Sequence, residues 1–175
     1  MTETMLSFEQ AIAQTEELLD QHGHGEISTA RLAERIAELI TTSNGARGFF
    51  VGWLTGDSAL ADTVPSEVLS ALRTAPDQVA ELLTKNLAMS TAMAYTHRAN
   101  GDSASAAGSE QVSRRTQALI TRINLPALVE QLTLLKASLD HSDGHYSAFL
   151  RRWGYGAAQL KAIREILVTL RGVPN

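Results

Sequence analysis

Cysteine is absent from the 175 residues. That absence removes disulfide frameworks, thiolate metal sites and cysteine nucleophiles together, and it suits a reducing compartment. Long apolar runs are missing as well. None approaches the roughly 18 residues that a membrane-spanning helix needs, and the opening "MTETMLSFEQ" has neither a basic stretch nor an apolar core of the kind a secretory leader carries. A cytoplasmic protein with no membrane partner is therefore expected.

Catalytic motifs are lacking too. The chain contains no GxGxxG, Walker A loop, GxSxG or HExxH. No cofactor is expected, and the balance leans away from an enzyme. Aromatic residues are few, at 5 %, against 44 % hydrophobic and 19 % charged residues overall. These are globular proportions, and the length fits one domain with a substantial core. The net charge of −4 hides an asymmetry. Residues 1–109 carry 6 Lys/Arg and 14 Asp/Glu, whereas residues 110–175 carry 9 and 5. Such halves can dock within one fold, pair between copies or be solvated separately. Overall acidity argues against nucleic acid as a partner, because phosphate binding demands a basic footprint.

What is present is helical spacing. Ser7 and Ser28 are placed to cap two helices whose stripes are Phe8, Ile12, Thr15, Leu19 and Leu32, Ile36, Leu39, Ile40. "HGHGE" should end the first, and Ser43-Asn44-Gly45 the second. "ARGFFVGWLTG" fits a helix or a strand, and helix is preferred because little else could pair with a strand. Pro65 suits the first turn of the next helix. Pro76 and Asp77 open the longest one, to about Ala99, with the carboxylate at the positive end of the dipole. "NGDSASAAGS" reads as a flexible loop near 100–109, after which Ser109 could cap a helix that stops before Leu125-Pro126. Further helices follow to the "HSDGH" break, over "YSAFLRRWG", and from 157 onward with Leu160, Ile163, Leu167 and Leu170 inward. The expected fold is all-α: one domain over residues 1–175, a compact bundle of about eight helices around a long central helix at about 76–99.

That central helix raises the sharpest question. On a helical wheel Asn86, Ser90, Met93 and His97 share one stripe, and alanines occupy much of the opposite face. The polar members either bond to neighbouring helix ends or line a ligand pocket in the bundle core. Arg98, Arg114 and Arg115 could gather beside them as an anion clamp or could be a solvated patch. The histidines of "HGHGE" and "DHSDGH" are metal-ligand types. They sit in glycine-containing loops, however, where turn chemistry explains them, so no metal site is expected.

Seven of the nine aromatics fall in "FFVGW" and "YSAFLRRWGYG". Core packing is their first explanation. Where exposed, Phe49, Phe50, Trp53, Tyr146, Phe149 and Trp153 would anchor a partner or a second copy, Trp153 above all because Arg151 and Arg152 precede it. The functional expectation is a non-enzymatic helical domain that binds protein and self-associates. The alternative is a small-molecule binder, possibly an enzyme, using the polar stripe.

Overall fold

The computed structural model describes residues 5–170 and 173, and among them every regular element is a helix. Chain contacts separate two compact units, Met1–Leu82 and Leu83–Asn175.

The first unit holds α1 (Phe8–Gly23), α2 (Thr29–Leu39), α3 (Ser43–Thr55), a 3-10 turn (Ala59–Ala61) and α4 (Ser66–Leu72), together with the opening of α5 (Pro76–Ala99). Ser7 caps α1 reciprocally: its hydroxyl accepts from the Gln10 amide at 3.1 Å, and the Gln10 side chain accepts from the Ser7 amide at 2.9 Å. Two of the amides a helix start leaves unpaired are thereby satisfied. The helix stops where the two glycines of "HGHGE" predict. Gly25 takes a left-handed φ of 73°, and the Glu26 and Gly25 amides donate back to Gln21 and His22. That double return is a Schellman motif, which glycine enters without a Cβ penalty. Ser28 caps α2, and Leu32, Ile36, Leu39 and Ile40 are all buried as expected.

The predicted break at Ser43-Asn44-Gly45 is instead the first turn of α3. Thr42 is the cap, its hydroxyl accepting from the Gly45 amide at 3.1 Å. Gly45 fits there because a Cβ would lie 1.8 Å from the Leu39 carbonyl oxygen. Farther along α3, a Cβ on Gly48 would lie 2.4 Å from the Ala11 Cβ, and one on Gly52 would lie 2.9 Å from the Thr15 side chain. Helices α1 and α3 therefore approach through bare backbone, and the aromatic side chains of α3 fill the core. Phe49 packs edge-on to Phe50 at 5.1 Å and against Trp53 at 5.5 Å between ring centres. The Gln78 side chain donates to the carbonyls of Ile40 and Thr42, tying the opening of α5 to the end of α2.

The second unit contains the remainder of α5, then α6 (Ser103–Ile123), α7 (Pro126–Asp140), α8 (Ser147–Arg152) and α9 (Ala157–Thr169). Between residues 82 and 94 no position of α5 is exposed, which fits a helix lacking an ordinary solvent face. The loop expected near 100–109 is corrected by the structure. A second Schellman motif at Gly101, φ 76°, stops α5, and Asp102 at once caps α6, so residues 103–109 are helical. The alanines read as loop-forming are strong helix formers, and the cap one residue past the stop sets the new start. At the other end of α6, Asn124 adopts a left-handed φ of 48° before Pro126 opens α7.

Candidate interaction surface

The structure divides the two aromatic segments. Phe49, Phe50 and Trp53 are wholly within the core of the first unit, which agrees with core packing and corrects their reading as a partner interface: a helix packed through its glycines turns these rings inward. Tyr146 is buried as well, its hydroxyl bonded to the Gln131 side chain and its amide donating to the Ser138 hydroxyl at 2.8 Å. Phe149 is half-buried, with the Lys85 ammonium 5.8 Å from its ring centre. Only Trp153 stands out, with 50 % of its surface exposed.

Local bonding fixes that tryptophan's position. The 141–146 segment is pinned to α7, because Ser138 accepts from the Tyr146 amide and the Ser147 hydroxyl donates to the His141 carbonyl at 2.8 Å. Helix α8 starts from this pinned turn, and Arg151 donates to the Ser142 carbonyl at 2.6 Å. The helix has only six residues before Gly154 turns the chain with a φ of 65°. Trp153 is its cap, and so falls at a projecting end beside the exposed Arg151 and Arg152. Just beyond it, the Tyr155 hydroxyl is sealed from solvent and finds no hydrogen-bond partner among the described residues. Burial pushes that phenol up to about 12.

A cleft of about 270 Å³ lies beside this tip, with Asp140, His141, Arg151 and Tyr155 in its lining. Arg164 bonds to Asp140 at 2.5 Å and holds its carboxyl below the ordinary value. His141, Asp143 and His145 are exposed, the ring of His145 resting on Tyr146. In the first unit, His22 bonds to the Thr29 hydroxyl at 3.0 Å, and His24 lies 3.5 Å from Asp20. Among the described residues no three His, Asp or Glu side chains converge as metal ligands.

Within the polar stripe of α5, Ser90 is committed to its own helix. Ser90 donates to the Asn86 carbonyl at 2.6 Å, while Asn86, Met93 and His97 are half-buried. His97 lies 3.8 Å from the Asp102 carboxylate. The three arginines are brought to different environments rather than to one clamp. Arg98 pairs with Glu110, Arg114 is exposed, and Arg115 is buried on the other side of α6.

A larger cleft in the first unit was not anticipated from the sequence. Its volume is about 460 Å³, and it opens between α1, the end of α3 and the turn that follows. Glu16, Asp20 and Asp57 bring carboxylates to it, and Leu19, Gly52 and Gly56 supply an uncharged floor. The signal was present as the glycine spacing of α3, but the acidic lining comes from segments some forty residues apart in the chain.

An all-α protein with a tryptophan–arginine tip and an acidic cleft is the class these observations define. Over residues 7–170 the sequence matches the family described as "Uncharacterised conserved protein UCP020893", and the chain belongs to that family. Neither a curated protein nor a solved structure matches.

Proposed function

We propose that this chain is a protein-binding domain that associates with a second copy of itself through the tip of α8. The observation that carries the reading is Trp153, half exposed at the end of a short helix and preceded by two exposed arginines. Tryptophan and arginine are the side chains most enriched where interface energy concentrates. An indole held at a pinned helix end loses little freedom on binding. The opposed charge of residues 1–109 and 110–175 gives a second copy a complementary surface. No helix among the described residues is long and apolar enough to cross a membrane.

Sedimentation velocity across a concentration series tests the reading. A concentration-dependent dimer or higher oligomer is expected for the native chain, and a Trp153→Ala chain of unchanged circular dichroism should stay monomeric at the same concentrations. A native chain that remains monomeric throughout, or a Trp153→Ala chain that associates as the native one does, overturns it.

A further inference from the structure

The structure points to the receiving surface, and we infer that the acidic cleft between α1 and the end of α3 takes the Arg151-Arg152-Trp153 tip of a second copy. This inference rests on the self-association proposed above and names its other half.

Three observations favour that occupant. The cleft's volume of about 460 Å³ falls in the range that accommodates compact groups such as one large side chain. Its floor, lined by Leu19, Gly52 and Gly56, carries no charge. Its rim is acidic. Glu16 and Asp20 stand one helical turn apart on α1, Asp57 follows α3, and each is exposed. The tip presents the matching order, two guanidinium-bearing residues followed by an exposed indole. Guanidinium groups pair bidentately with carboxylates, and placing them at the rim steers the indole toward the floor. Among the described residues no side chain fills the cleft, and Trp153 keeps half its surface in solvent. Occupancy by another copy satisfies both.

Charge reversal with recombination tests the pairing. One variant carries Glu16→Arg with Asp20→Arg, the other Arg151→Glu with Arg152→Glu; thermal melts establish that each is folded. Each alone should sediment as a monomer where the native chain associates, with the apparent dissociation constant weakened at least tenfold. Mixed in equal amounts, the two should associate again, because each meets its opposite. Restoration in the mixture supports the cleft. If the cleft variant associates like the native chain while Trp153→Ala does not, the receiving surface lies elsewhere and only this inference falls. A mixture that stays monomeric overturns it as well. A native chain that never associates removes the self-association reading and this inference together.

Discussion

Phe49-Phe50-Val51-Gly52-Trp53 and Phe149-Leu150-Arg151-Arg152-Trp153 have the same outline: a phenylalanine, three residues, then a tryptophan one helical turn later. One tryptophan is fully enclosed and the other half exposed. The difference lies in what flanks the rings. In α3 the intervening residues are apolar or glycine, and Gly48 and Gly52 let α1 settle onto the backbone. In α8 they include two arginines, and the helix ends after six residues. An aromatic pair at helical spacing thus fixes only which side the rings share. The glycines and charges beside them decide whether that side faces core or solvent.

The largest effect that would break this comparison comes from truncating each tryptophan. Trp53→Ala should cost about 3–5 kcal/mol, the range for an aromatic removed from a packed core. Trp153→Ala should leave unfolding within about 0.5 kcal/mol of the native chain at concentrations low enough for both to be monomeric, as surface changes do, while abolishing association at higher ones. Urea denaturation of the two variants at equal concentration reads both. Similar losses of stability would mean that the indole of Trp153 supports the fold rather than a partner.

The glycines sharpen the same contrast. A Cβ at Gly48 meets Ala11 at 2.4 Å, whereas one at Gly108, inside α6, meets nothing within 4 Å. Gly48→Ala should destabilise by about 1–3 kcal/mol through overpacking. Gly108→Ala should stabilise by up to about 1 kcal/mol, because alanine restricts the unfolded chain and favours helix. Thermal melts of opposite sign are expected. A neutral Gly48→Ala would show that α1 can move away from α3 at little cost.

Much of this fold was legible in the chain, and the failures have physical causes. Pro76 and Asp77 marked the start of α5 as it occurs, because proline has no N–H to leave unpaired in a first turn. Ser7 and Ser28 were readable as caps for the same kind of reason. The start of α6 was misplaced because serine and alanine suit both a linker and a helix, and the deciding group, Asp102, accepts locally from the Ser105 amide. Hydrogen bonds from the Ser105 hydroxyl and amide, with the His97 ring nearby, hold the Asp102 carboxyl below its ordinary value of 3.8. Its contribution is present above that value and is lost as pH falls through the lower folded value. Asp102→Asn, which keeps a capping oxygen, should therefore flatten the acid limb of an α6 helicity profile, whereas Asp102→Ala should lower helicity at every pH. A profile unaltered by Asp102→Asn would remove the carboxylate from that limb. Of the candidate site, the tip was visible because its residues are consecutive. The cleft was not, since Glu16, Asp20 and Asp57 meet only after α1 and α3 have packed.

The smallest effect concerns the residue after the tip. The Tyr155 hydroxyl is shut from solvent and bonded to nothing among the described residues, whereas the buried hydroxyl of Tyr146 bonds to Gln131. An unsatisfied polar group costs stability that a matched one does not. Tyr155→Phe should therefore be neutral or stabilising by up to about 1 kcal/mol, and Tyr146→Phe destabilising by a similar amount, since it strands the Gln131 oxygen. Alkaline pH gives a second handle. Burial raises the folded phenol to about 12, above the ordinary value of 10.0. The unfolded chain releases its proton first, so stability holds below pH 10 and falls as pH rises toward 12. In Tyr155→Phe part of that fall should vanish, measured as the urea midpoint at pH 9 and pH 11. An identical fall in both chains would mean that the phenol ionises as freely when folded as when unfolded.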